Sequence, residues 1–199
     1  MNTYPDKFAR FISILFVPPS FTIIVFTLFS FTLESDQVKI LVTILTAFIF
    51  GFCAPIILFV QFRKRNKIVD LDASIKEERT TPFLISTGFY LIGLIVLISF
   101  HVNIITIAFW YCYISNTLIA IVINKFWKIS AHAMGASGPL AAITYTFGPT
   151  ALLVSVIIFF VGWSRIQLKV HNFSQVLAGI LFAFASTYIQ ILLVVNLFS

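Results

Sequence analysis

The chain has 199 residues, of which 60% are apolar and only 10% are charged, with a formal net charge of +6. A soluble domain carries about 25% charged residues, so this composition, with a mean hydropathy of +1.04, excludes a soluble enzyme fold, a disordered tail and a nucleic-acid-binding module. What remains is an integral membrane protein, and at ~150 residues per domain it reads as one membrane domain over 1–199.

The chain opens on an amphipathic segment. Phe8, Phe11, Ile12, Leu15 and Phe16 recur at helical spacing, with Lys7 and Arg10 on the other face. This predicts an N-terminal interfacial helix within 1–17, or the first half of one long kinked span. Pro18-Pro19 starts the next apolar run, because proline fits a first helical turn and breaks an interior. That run ends near residue 33, before the polar turn Glu34 to Gln37, and a second covers about 38–61. The long polar stretch 62–82 comes next, then runs at about 83–100 and 104–123 separated by His101 to Asn103. After a short polar break, a run at about 131–147 is rich in small residues, and Gly148-Pro149 signals a turn. Runs at about 150–163 and 174–198 complete the chain. At about 20 helical residues per crossing, the pattern predicts an all-α polytopic transmembrane helix bundle of six to seven spans. Cys53 and Cys112 fall inside apolar runs and read as packed thiols. The 24 phenylalanines read as lipid-facing bulk.

With seven crossings, the polar islands at 62–82, 124–135 and 163–175 share one face with the N-terminus. That face holds Lys7, Arg10, Arg63, Lys64, Arg65, Lys67, Lys76, Arg79, Lys125, Lys128, Arg165 and Lys169; the opposite face holds Lys39. The positive-inside rule predicts that the basic face is cytoplasmic. On this reading Lys125 and Lys128 are orientation signals or lipid-headgroup contacts. His101, beside Asn103 on the opposite face, reads as an ordinary interfacial histidine.

The islands concentrate chemistry. His132 and His171, two of the three histidines, fall in the second and third, and Arg79 and Arg165 in the first and third. Arginine presents a planar fork to phosphate oxygens, and a histidine can attack phosphorus or protonate a leaving oxygen near neutral pH. Small residues after His132 allow close helix packing beneath such a site. Together these residue types at a membrane boundary predict a site for a phosphate ester.

The islands resemble the three signature motifs of the type-2 phosphatidic-acid phosphatase superfamily, which are polytopic, metal-independent lipid phosphatases related in site architecture to vanadium haloperoxidases. The third motif, Ser-Arg, five residues, His, three residues, Asp, is matched by Ser164, Arg165 and His171, with Gln175 at the Asp position. The local run His-x-x-Ser-Gln-Val is similar to the dolichyl diphosphatase branch. The second motif, Pro-Ser-Gly-His, appears as Ile129, Ser130, Ala131 and His132. In the first, Lys, six residues, Arg-Pro, Arg79 is followed by Thr80-Thr81-Pro82; Asp72 holds the Lys position and Lys76 lies three residues before the Arg.

The resemblance, over about 72–179, implies a lipid phosphatase acting on phosphatidic acid, phosphatidylglycerol phosphate or a polyprenyl diphosphate. It implies that His171 attacks phosphorus, that His132 protonates the leaving group, and that Arg79, Arg165, Ser130 and Lys76 hold phosphate oxygens. Ser164 supports the motif, and Gln175 replaces the acid that orients the nucleophile. It implies no metal and no other cofactor; the expected partners are a lipid phosphate or diphosphate and the bilayer, with no nucleic acid. A phosphotransferase on the same scaffold and a non-catalytic transporter or lipid-binding relative are the alternatives.

Overall fold

Prolines, caps and turn residues set where this chain starts and stops its helices. The computed structural model describes residues 3–198, all helical apart from short connections. Helix α1 (Tyr4–Leu15) opens on Pro5 and ends at Phe16; α2 (Pro18–Leu33) starts on the proline pair after a 50° bend. Asp36 accepts a 2.7 Å bond from Val38 N and caps α3 (Gln37–Thr46). From α3 the helix continues without a break through a π segment (Ala47–Cys53) into α4 (Ala54–Lys64), giving 28 helical residues. Pro55 lies in the first turn of α4 and has no N–H to donate back, and the π turn before it accommodates that loss.

A loop then leads through a 3₁₀ turn (Lys76–Arg79) into α5 (Thr80–Ser99). Asn103 caps α6 (Ile104–Phe126) by accepting from Ile105 N at 2.9 Å, and Ser130 caps α7 (Ala131–Phe147) by accepting from Ala133 N at 3.3 Å. Gly148, at φ 84, ends α7; a 3₁₀ turn (Pro149–Val154) feeds α8 (Ser155–Gln167), and α9 (Phe173–Phe198) closes the chain. With α3 to α4 taken as one rod there are eight helices among the described residues.

Five helices are long and apolar enough to cross a membrane, or six when the bent pair α1–α2 counts as one span. The chain is an integral membrane protein. The sequence runs counted seven crossings, and the difference lies in two short helices. Alone, α2 has 16 residues and α7 has 17, about 25 Å each at 1.5 Å per residue.

Close packing among the helices follows from residue size. Phe26, Phe29, Phe109 and Trp110 are at most 1% exposed and pack with Tyr90 and Tyr113 into an aromatic core. So several phenylalanines are internal, while others such as Phe31 and Phe159 face outward as expected. Trp110 Nε1 donates to Tyr90 O at 2.7 Å, and Gly93 leaves the room its ring needs: a Cβ there would lie 2.3 Å from Trp110 Cζ2. Both cysteines are free thiols. Between α6 and α9 lies a polar network at mid-helix. Asn116 donates to Thr187 Oγ1 at 3.0 Å, and its own Oδ1 accepts from Ser186 and Gln190; Ser115 donates to Gln190 Oε1. Such bonds hold apolar helices together where hydrophobic burial gives no driving force.

The two ends of the bundle are tied differently. At one end Glu34 accepts from Asn103 N, and Lys39 donates to His101 O at 2.6 Å. All three polar islands and α1 meet at the other end.

Candidate active site

The first island folds around a local turn. Asp70 Oδ1 accepts from Asp72 N at 2.7 Å and from Ser74 N at 3.1 Å, a common way for aspartate to close a loop. That turn carries the carboxylate of Asp72 into the protein, where its side chain is 7% exposed. Arg165, near the end of α8, donates from Nη2 to Asp72 Oδ1 at 2.8 Å, and Arg10 of α1 donates from Nη1 to Asp72 Oδ2 at 2.8 Å. Arg165 Nη1 also donates to Ser13 Oγ, and Gln167 donates to Asp6 at 2.9 Å, so α1 is fastened along α8. Phe8 adds apolar contact there against Phe160 and Trp163.

Arg79 is 4% exposed and joins the first island to the second. Its Nε donates to Ala73 O at 2.7 Å and its Nη1 to Ile129 O at 2.9 Å. Among the described residues, its Nη2 makes no hydrogen bond. Lys128 donates to Val170 O at 2.6 Å and Ser130 N donates to Gln175 O at 3.4 Å, which joins the second island to the third. Backbone carbonyls thus orient Arg79 and Lys128; among the described residues neither forms an ion pair, and Asp70 and Asp72 act on both only from a distance.

Helix α9 begins with a reciprocal cap. Asn172 Oδ1 accepts from Gln175 N at 2.9 Å, and Gln175 Oε1 accepts from Asn172 N at 3.4 Å. His171 Nδ1 lies 2.9 Å from the same Oε1. Because that oxygen can only accept, Nδ1 carries the proton and Nε2 keeps its lone pair. Burial, together with Arg79, Lys128 and Arg165, pushes the His171 imidazole down to about 3, against the hydrogen bond to Gln175 that favours the charged form. The ring is therefore neutral at pH 7, with Nε2 free as a nucleophile. His132, on the first turn of α7, lies within electrostatic reach of Arg165, Asp72 and His171 and beside the backbone of Ser13.

The charges do not cancel. Arg10, Arg79, Lys128 and Arg165 stand against Asp70 and Asp72, four cations to two carboxylates. Burial pushes the Asp72 carboxyl up, but Arg165 and Arg10 outweigh it and leave it below its ordinary 3.8. Burial, with Arg79 and Arg165, lowers the Lys128 ammonium. Arg165 is fully buried, yet its Nε has no hydrogen-bond partner.

The structure brings Arg79, His132, Arg165, His171 and Gln175 to one end. Ser130 is there too, fully buried, with its oxygen engaged as the α7 cap. Ser164 bonds back to Val161 O at 2.7 Å within α8. Lys76 sits at the rim, donating to Lys125 O at 2.9 Å with Glu77 3.7 Å away. Sequence reasoning passed over two residues. Arg10 looked like the polar side of an interfacial helix, and Lys128 like an orientation signal. A groove of about 380 Å³ lined by Tyr111, Ser115, Ile119, Gln190, Leu193 and Val194 lies mid-helix, away from this cluster. Among the described residues no three His, Cys, Asp or Glu side chains group as metal ligands.

Comparison with known proteins finds no match among family models, curated proteins or solved structures.

Proposed function

We propose that the chain is a membrane lipid phosphatase that cleaves a phosphate monoester or diphosphate of a lipid through a phosphohistidine. The observation that carries this reading is His171, neutral and held at Nδ1 by Gln175, beside Arg79 and Lys128, which form no ion pair among the described residues, and Arg165, which shares Asp72 with Arg10. His171 Nε2 attacks phosphorus and the bond from phosphorus to the leaving oxygen breaks. His132, whose imidazole burial pushes down to about 3, is neutral at rest and hands that oxygen a proton it takes up from solvent as the negative charge of the phosphate arrives. Water then attacks the phosphoimidazole, the P–N bond breaks, and inorganic phosphate departs. The guanidinium groups hold the non-bridging oxygens as charge builds on them. Gln175 orients the imidazole but adds no negative charge, so the imidazolium-like phosphohistidine is stabilised less than it would be by a carboxylate. Nothing in these steps calls on a metal ion.

The test is phosphate release by purified protein from phosphatidic acid, phosphatidylglycerol phosphate and a polyprenyl diphosphate, with EDTA present. Turnover lost in His171→Ala and inhibited by vanadate supports the reading; undiminished release by His171→Ala refutes it. Labelled phosphate passing to an added lipid alcohol identifies a phosphotransferase instead. The carboxylate of Asp72 within the cluster favours a second reading, a lipid-phosphate-binding protein without turnover, which saturable binding with no release would establish. Twelve of 13 basic residues on one face support a cytoplasmic site, and terminal reporter fusions test it.

A further inference from the structure

One carboxylate bridging two guanidinium groups is the arrangement that two oxygens of a phosphate make. Asp72 gives one oxygen to Arg165 and the other to Arg10, each at 2.8 Å. It hangs from a loop, not a helix, next to Ala73 at φ 44. Arg165 keeps one buried donor, Nε, with no partner. A carboxylate cannot reach it while serving Nη2 and Arg10, whereas a phosphate brings further oxygens and a second negative charge.

We propose that Arg10 and Arg165 form a phosphate-oxygen subsite whose resting occupant is Asp72, and that a phosphate group binds by displacing that carboxylate. This deepens the phosphatase reading and rests on it. Arg10 is then a binding residue supplied by the N-terminal helix. Once Asp72 swings out, Arg10, Arg79, Lys128 and Arg165 face the incoming anion without it. The ligand is the phosphate group itself, free or as a lipid headgroup. The rival is that Asp72 is a permanent brace between α1, the first island and α8.

Binding is measured on full-length protein in detergent, in a His171→Ala background so that no turnover intervenes. The probes are inorganic phosphate and dioctanoyl phosphatidic acid. Asp72→Asn is expected to tighten phosphate by about tenfold, the worth of one charge-assisted hydrogen bond no longer competed for. Adding Arg10→Gln to Asp72→Asn is expected to remove most of that gain. Tightening for both probes assigns the subsite to the phosphate group; tightening for the lipid alone assigns it to the headgroup in its micelle. Hydrogen exchange on the Asp72-containing protein needs no change at this residue: phosphate is expected to speed exchange of amides at 70–74 as the carboxylate leaves. Unchanged or weaker affinity in a folded Asp72→Asn protein, or slower exchange at 70–74, overturns this inference and leaves the phosphatase reading standing. Absence of anion binding in both proteins overturns both.

Discussion

Arg79 ties two loops through its backbone bonds before it meets any ligand, so its replacement has a stability cost separable from activity. Arg79→Met keeps an unbranched stem as far as the Nε position and removes both donors. It strands Ala73 O and Ile129 O, which Arg79 reaches at 2.7 and 2.9 Å from a 4% exposed position. Each bond from a charged donor is worth about 1.5–3 kcal/mol, and loop relaxation recovers part, so the expected loss is about 3–5 kcal/mol. Arg79→Lys can serve one carbonyl at a time and is expected to lose about half as much. The assay is SDS-induced unfolding in mixed micelles, followed by fluorescence of the three tryptophans. A Met variant within about 1 kcal/mol of the parent refutes the tie. A Lys variant as stable as the parent shows that the fork geometry is not what holds the loops. Phosphate release by the Lys variant, measured under conditions where it is fully folded, then reports the role of Arg79 toward the anion alone.

Other outcomes follow from the same geometry. Asp72 has a folded pKa below 3.8, so its pairing contributes fully above that value and is lost as pH falls through the folded one. Acid unfolding is expected below about pH 4, and the Asp72→Asn protein is expected to show a flatter pH dependence in that window; equal slopes count against the pairing. Gln175→Glu places a carboxylate at Nδ1 of His171 and is expected to raise its pKa from about 3, read from the imidazole C–H resonance; no upward movement contradicts the contact. Gly93→Ala drives a methyl into Trp110 and is expected to cost about 1–3 kcal/mol. Gly88→Ala on the same helix meets nothing within 4 Å and serves as the near-neutral control in the same unfolding titration.

Much of this end of the bundle is legible along the chain because two simple rules govern it. Alternating crossings put the three islands together, and four-residue spacing lets Gln175 reach His171 at the start of a helix. The Asn172-to-Gln175 cap is also readable, as a polar pair three residues apart before an apolar run. What could not be read is pairing at long range. Arg10 and Asp72 are 62 residues apart, and helical periodicity shows only that Arg10 avoids the apolar face. Lys128 is similar, since its bond to Val170 O depends on how two loops approach. The six to seven spans read from the apolar runs meet the five to six long apolar helices at six, and the spread on either side comes from α2 and α7, at 16 and 17 residues the short helices of the bundle. The internal aromatic core is invisible to composition, because a lipid-facing and a buried phenylalanine look alike until neighbours such as Gly93 make room.

The network of Asn116, Ser186, Thr187 and Gln190 has a consequence at the far end of the helices that carry it. Asn172 lies fifteen positions before Thr187, about 22 Å along α9 at 1.5 Å per residue. A slip of α9 against α6 by one turn would move the His171 ring about 5.4 Å, farther than the 3.4 Å that separates Ser130 N from Gln175 O. No water is available at that depth to compensate the amides if the helices slide. The mid-membrane amides therefore act as a gauge block: they set the axial phase of α6 and α9, and the height at which His171 stands among the islands is decided in the middle of the bilayer, not at its surface.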